Sequence, residues 1–215
     1  AALTEHFQNL VTIGQQVAET SNTRNWPAPD ARIGGSFNAR AGHLDTEVER
    51  LVTLANTLLD LEQLDSGERI QRTPVDLGRF LDDASARYRA AAERDGRTLT
   101  VERDDATVHV DPRWLEPAIG TLLDNALRHG AGAIGLRAQV QGGRLHLSVT
   151  DEGPGFPDDF LPHAFDRFTR AETSRTTPGT GLGLALVAAV AASHDGTAHA
   201  ENTPSGPRVR LDISC

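Results

Sequence analysis

The chain contains no methionine and no lysine: all 21 of its basic residues are arginine. With alanine at position 1, this points to a processed or truncated piece of a longer protein from an arginine-biased source. The single cysteine, Cys215, excludes an internal disulfide framework and any multi-cysteine metal site, and suits a reducing compartment. No run of about 18 apolar residues occurs, and the start lacks the basic-then-apolar pattern of a signal segment. A membrane anchor is therefore expected only outside this stretch. Positive charge is in deficit, with 30 acidic against 21 basic side chains and a pI near 5.3. That balance lacks the basic stripe a nucleic-acid partner would require. What remains is a 215-residue chain, 38% hydrophobic, long enough for one ordinary domain and a smaller helical element.

The periodicity divides the chain near residue 70. Leu3, Phe7, Leu10 and Val17 alternate four- and three-residue steps, with Gly14 in the vacant place, which predicts a helix over 3–19. A polar, proline-bearing break from Ser21 to Pro29 follows, and Asp30 is placed to cap a second helix that runs to about Leu64. Its seam is Leu44, Val48, Leu51, Ala55 and Leu58, widened by Val52 and Leu59, and Gly67 offers a C-terminal cap. Two such helices form a hairpin with an apolar stripe left over. Pairing with a second copy into a dimeric four-helix bundle would bury it.

From residue 71 the texture is mixed helix and strand. Helices are expected over Phe80–Arg94, Trp114–His129 and Gly183–Ser193. Strands are expected over Thr98–Glu102, Thr107–Val110, Ile134–Val140, Leu145–Thr150, Thr197–Glu201 and Val209–Ile213. Asp111-Pro112 supplies an N-cap and first helical position for the second of these helices.

Three segments carry candidate chemistry. Thr121, Asn125 and Arg128 step along one helix face, so an amide oxygen suited to Mg²⁺ and a guanidinium suited to phosphate point the same way. An ordinary solvated helix face has the same spacing. Asp151, in Asp151-Glu152-Gly153-Pro154-Gly155, stands at a strand end where its carboxylate can accept the amino protons of adenine; an ordinary Gly/Pro turn reads the same way. Gly179-Thr180-Gly181-Leu182-Gly183 opens an apolar helix and offers free backbone N–H groups to a phosphate, unless it is only a structural turn. It fits neither the dinucleotide-binding nor the P-loop pattern. The long polar stretch from Glu152 to Pro178 suits a lid, with Phe165 and Phe168 as its anchors.

Together, Leu122-Leu123-Asp124-Asn125-Ala126-Leu127-Arg128-His129, the Asp151 segment, Phe165-Asp166-Arg167-Phe168 and the Gly179 segment continuing to Leu184 resemble the N, G1, F and G2 boxes of the histidine kinases within the GHKL ATPases. Glu49-Arg50-Leu51 and Leu58-Leu59-Asp60-Leu61 resemble the second helix of that family's dimerisation hairpin. The resemblance implies an α+β fold: a two-layer α/β sandwich of the Bergerat type over 71–215, preceded by a helical hairpin over 1–70. It implies an ATP-dependent protein-histidine kinase of a two-component system, the cytoplasmic portion of a membrane-anchored bacterial sensor, with a response regulator receiver domain as partner. In that family Asn125 would hold Mg²⁺ and Asp151 would meet adenine, supported by Gly153 and Gly155. Gly179, Thr180, Gly181, Leu182 and Gly183 would line the phosphates, with Arg128, His129, Arg167 and Arg170 as phosphate contacts.

The sequence departs from the family at its acceptor segment. Thr4-Glu5-His6-Phe7-Gln8-Asn9-Leu10 places Thr4 where the phosphorylated histidine belongs, and only Glu5 and Leu10 match. His6, two residues on, is the candidate acceptor, with Glu5 as its base; an exposed histidine without a role fits equally, and His43 reads as structural. Thr121 replaces an asparagine, Asp195 a glycine, and Pro207 interrupts the last hairpin. The departures leave two further readings: a degenerate nucleotide-binding module that works as an interaction partner, and a kinase that acts on a histidine or serine of another protein.

Overall fold

The computed structural model describes residues 51–67, 69–171 and 179–215. The expected helix over 3–19, the 21–29 break, His6, Glu5, His43, Leu44 and Val48 lie outside these residues. The chain divides into two compact units, Ala1–Glu62 and Gln63–Cys215.

The described residues of the first unit, 51–62, are helical, and the helix, α1, continues to residue 65. Of its expected seam, Leu51 is 57% exposed and Ala55 and Leu58 are half-buried, while Leu61 is fully buried. Gly67 takes a φ of +76° and its amide donates to the Leu64 carbonyl at 3.3 Å, the terminating geometry the sequence suggests.

The second unit is the expected two-layer α+β sandwich. Its elements are β1 (Thr73–Asp76), α2 (Leu77–Arg94), β2 (Leu99–Arg103), β3 (Thr107–Val110), α3 (Pro112–His129), β4 (Ile134–Gln141), β5 (Arg144–Thr150), α4 (Gly183–Ser193), β6 (Thr197–Thr203) and β7 (Gly206–Ser214). A short 3₁₀ turn, Leu161–His163, lies between β5 and α4. The main sheet has the order β2-β4-β5-β7-β6, with β2 parallel to β4 and every other pair antiparallel. Alternation decides its faces. Leu136, Ala138, Leu145, Leu147, Val149, Val209, Leu211 and Ile213 are buried, and the residues between them are polar and turn outward. The helices cover the apolar face. In α2, Leu77, Leu81, Ala84, Tyr88 and Ala92 form the buried stripe; α4 is apolar on every side because it lies between α3 and strands β6 and β7.

One expected boundary needs correction, and one strand pairing is not visible in the sequence. Helix α2 begins at Leu77 rather than Phe80, because Asp76 caps it by accepting the Arg79 amide at 2.9 Å; Gly78 in the first turn hid the start. β3 does not join the main sheet. It pairs with β1, a strand the sequence did not suggest, through a register that sets Val75 opposite Val108.

A buried polar node joins the start of this unit to two helices. The Asp111 carboxylate accepts the Gln71 amide at 2.7 Å and caps α3 through the Arg113 amide at 3.1 Å. The Asp111 amide donates to Nε2 of His194, just past the end of α4, at 3.1 Å. Nδ1 of His194 therefore carries the proton and donates to the Val190 carbonyl at 2.9 Å. Asp195 stands next with a φ of +53°, a conformation aspartate tolerates better than most residues, and pairs with Arg72 at 2.6 Å.

Candidate functional site

Asp151 follows the last residue of β5, an interior strand held by β4 and β7, so its position is fixed by the sheet. Its Oδ1 accepts the Gly153 amide at 2.7 Å and the Ala131 amide at 3.4 Å. Ala131 lies in the turn that ends α3. Glu152 binds the same turn, its carboxylate accepting the Ala133 amide at 3.2 Å and its own amide donating to the Ala131 carbonyl at 3.0 Å. No side chain fits at Gly153: a Cβ there would come within 2.6 Å of Asp151 Oδ1 and 2.8 Å of the Gly130 Cα. The G1 segment and the end of the N-box helix are thus one structure. Burial raises the Asp151 carboxyl above the ordinary carboxylate range, opposed by the amides of Gly153 and Ala131 and by the charges of Arg97 and His129.

Asn125 is half-buried on α3, with Arg128 and His129 exposed in its last turn. Thr121 lies on the same face one turn earlier, and its Cγ2 meets the first residue of α4, since a Cβ on Gly183 would stand 2.8 Å from it. The Asn125 face is thereby turned toward the start of α4. Partial loss of hydration, then the charges of Arg128 and Arg170, hold the His129 imidazole below its ordinary range, with Asp151 opposing. Arg128 and Arg170 therefore both act on His129, which in turn acts on Asp151.

Helix α4 begins without a side-chain cap. The Leu182 side chain is fully buried, so a ligand could meet only its backbone, and the Leu182 amide donates to Thr180 Oγ1 at 3.3 Å. Gly181 has a φ of +72°. Its carbonyl accepts the Phe168 amide at 2.8 Å, and a Cβ on Gly181 would come within 2.7 Å of the Phe168 carbonyl carbon. The F and G2 boxes are therefore in backbone contact. Gly179 has the Arg170 guanidinium beside it, 3.9 Å from where a Cβ would lie.

The lid region differs from its expected anchoring. Phe168 is 61% exposed with a φ of +62°, so its ring is not an anchor and only its backbone holds the segment; Phe165 is half-buried, and among the described residues of this stretch Ala164 is the buried one. Phe156 and Phe160 stack at 5.8 Å between ring centroids. Asn202 of β6 holds Phe156 by both backbone groups, accepting its amide and donating to its carbonyl, each at 2.8 Å, and packs where Gly155 has no side chain. Arg167 is paired with Asp65 rather than grouped with Arg128 and Arg170.

Asn202, Glu152, Gly130 and Arg97 are site residues the sequence reading missed. Glu152 stands inside the Gly-rich segment without a role that its position there announces, and no local motif marks Asn202, Gly130 or Arg97, whose partners are contributed by other elements. A groove of about 750 Å³ lies on the outward face of the sheet, lined by residues such as Glu102, Arg137, His146 and Arg210, and reaches the site only at Asp151 and Glu152. Asn125, Arg128 and the Gly179–Gly183 segment do not line it.

A half-buried helix amide, a strand-end carboxylate and a glycine-rich helix start without a side-chain cap are thus linked through the turn that ends α3 and the contact of Thr121 with Gly183. The family model of histidine kinase-, DNA gyrase B-, and HSP90-like ATPases matches residues 110–214. The chain is 45% identical over 128 residues to "Sensor histidine kinase component HK1" of Mycobacterium tuberculosis (strain ATCC 25618 / H37Rv), covering 59% of this chain and 74% of that protein. It is 42% identical over 162 residues to "Probable sensor histidine kinase HK" of Mycobacterium tuberculosis (strain CDC 1551 / Oshkosh), covering 74% of this chain but only 42% of that relative. Among solved structures, a mycobacterial sensor histidine kinase, MprB, superposes with a TM-score of 0.59 at 30% identity, over 66% of this chain and 97% of that one. The chain carries an ATP-binding domain of the GHKL type. It belongs to the sensor histidine kinase family.

Proposed function

We propose that residues 71–215 are the catalytic domain of an ATP-dependent protein-histidine kinase in a two-component system, and that residues 1–70 form its dimerising hairpin. One observation supports this most strongly: the four motif segments are chained to one another. Asp151 binds the turn ending the N-box helix, that helix meets the G2 box at Thr121 and Gly183, and the G2 box bonds the F box at Gly181 and Phe168.

In this reading Asp151 accepts the amino protons of adenine with the carboxylate oxygen that its backbone donors leave open. The first amides of α4, free of a side-chain cap, face the phosphates. Arg128, His129 and Arg170 neutralise phosphate charge, and Arg167 joins them only on leaving Asp65. Asn125 fits Mg²⁺, since its amide oxygen is a hard, neutral donor one helical turn from an arginine; the ion would offset charge on the phosphate oxygens. His6 lies outside the described residues. It would attack the γ-phosphorus through a neutral ring nitrogen; the new P–N bond replaces the bond from that phosphorus to the β,γ-bridging oxygen, which leaves with ADP, and Glu5 takes the imidazole proton. A response regulator aspartate then receives the phosphoryl group. The partner in the hairpin is a second copy of the chain, and the whole sensor is membrane-anchored through segments beyond this stretch. Among the described residues no helix is long and apolar enough to cross a membrane.

A second reading is that the histidine belongs to another polypeptide. Thr4 at the acceptor position favours it, as does a relative whose name calls it a component. Incubation with γ-labelled ATP separates the two. Acid-labile label on the chain, lost in His6→Ala, is the expected result. Label only on an added histidine-bearing partner supports the second reading, and nucleotide binding without any label supports a degenerate module. If calorimetry detects no ATP binding, and Asn125→Ala and Asp151→Ala change nothing, the reading fails.

A further inference from the structure

Arg97 lies between α2 and β2, outside all four motifs. Its guanidinium gives four hydrogen bonds, every one to a backbone carbonyl. Nη1 donates to Ala126 at 3.0 Å and Leu127 at 3.1 Å, Nη2 to Ala131 at 3.1 Å, and Nε to Gly132 at 2.7 Å. The first two acceptors are in the last turn of α3, at the negative end of the helix dipole; the Ala126 carbonyl also accepts the Gly130 amide at 3.1 Å. The other two are in the turn whose Ala131 amide donates to Asp151. One planar cation therefore ties the helix that carries Asn125, Arg128 and His129 to the turn that orients the Asp151 carboxylate. The planar fork is essential to this: a lysine ammonium is a point donor and cannot span four carbonyls arranged around two segments.

We infer that Arg97 is a positioning residue for base recognition, holding the Gly130–Ala133 turn so that Asp151 presents its carboxylate to the exocyclic amino group of adenine. Its charge has a second, consistent effect, since it helps to keep Asp151 ionised against burial, together with His129 on the neighbouring helix. The inference rests on the ATP reading above and adds to it the residue that gives the site its selectivity for an amino-bearing purine. Arg97 does not touch the nucleotide and acts through Asp151.

The test compares ATP with inosine triphosphate, which carries an oxo group where adenine has its amino group, by calorimetry on the full chain. Wild type is expected to prefer ATP. Arg97→Met should weaken ATP binding roughly tenfold while leaving inosine triphosphate nearly unchanged, which collapses the preference. Arg97→Lys should recover part of it. In the Asp151→Asn background, Arg97→Met should have little further effect, because both changes remove the same recognition. If Arg97→Met weakens both nucleotides equally, or adds its full loss to that of Asp151→Asn, Arg97 is scaffold only and the inference is overturned. Should the methionine variant fail to fold, Arg97→Gln and Arg97→Lys carry the same ratio measurement. Wild type that binds neither nucleotide defeats the ATP reading and this inference together. Wild type that binds ATP, with loss in Asp151→Asn but an unchanged ratio in Arg97→Met, defeats only this inference.

Discussion

The Phe168 amide donates to the Gly181 carbonyl at 2.8 Å, and Gly181 makes the approach possible because it has no Cβ and a φ of +72°. Gly181→Ala would strain the backbone by about 1–2 kcal/mol and force the Phe168 backbone aside. The expected outcome is a rise of roughly tenfold in the ATP dissociation constant. Calorimetry beside thermal melts checks this, and an unchanged affinity would show that the F and G2 boxes need not touch.

Gly183 and Thr121 make a second close approach, between the starts of α4 and the middle of α3. Alanine at Gly183 would place a methyl group 2.8 Å from Thr121 Cγ2, inside van der Waals contact. Overpacking of this kind costs about 1–3 kcal/mol. Thr121→Ser deletes the opposing methyl, so the double variant should recover most of the loss seen in Gly183→Ala alone. Denaturant unfolding of the four proteins measures the coupling, and strict additivity would contradict it.

His194 is neutral, fully buried and committed to one tautomer. Burial pulls its pKa below the ordinary 6.5. In the unfolded chain it titrates normally, so below about pH 6.5 the unfolded state binds the extra proton and the native state does not. Its stabilising effect is complete above that pH. On acidification stability should fall by up to about 1.4 kcal/mol per pH unit, until the native imidazole itself protonates. Urea unfolding from pH 8 to pH 5 reads this directly against His194→Asn; parallel curves for the two proteins would rule it out.

Asn202 imitates a strand partner for Phe156, with one hydrogen bond in each direction. Asn202→Ala should remove about 1–2 kcal/mol of local stability from the G1 loop. Hydrogen exchange should quicken at the Phe156 amide, while amides within β4 and β5 keep their protection. Equal acceleration throughout the sheet would mean that the side chain supports the whole domain instead.

The readability of the sequence followed the range of the interactions. Helix α4 matched its expected bounds, Gly183–Ser193, because a glycine entry and an unbroken apolar run are local signals. Asp151 was placed at a strand end by the alternation of Leu145, Leu147 and Val149, and is found there. β1 escaped notice because four residues, with Pro74 among them, carry no alternation; only pairing with β3 makes them a strand. The parallel pairing of β2 with β4 is likewise nonlocal. The same holds within the site. The N, G1 and G2 segments announce themselves by composition, whereas Arg97 and Asn202 are ordinary residues whose importance comes from carbonyls and amides contributed by other elements. Thr121, a departure from the family pattern, has a packing role against Gly183 that spacing alone does not reveal.

Asp111 is a junction where three lines meet. Gln71, Arg113 at the head of α3, and His194 at the foot of α4 all bond to this one residue, through its side chain or its amide. A displacement of the segment at Gln71 is consequently shared out at a single point between the head of α3 and the foot of α4, and neither helix end can shift there without loading the other.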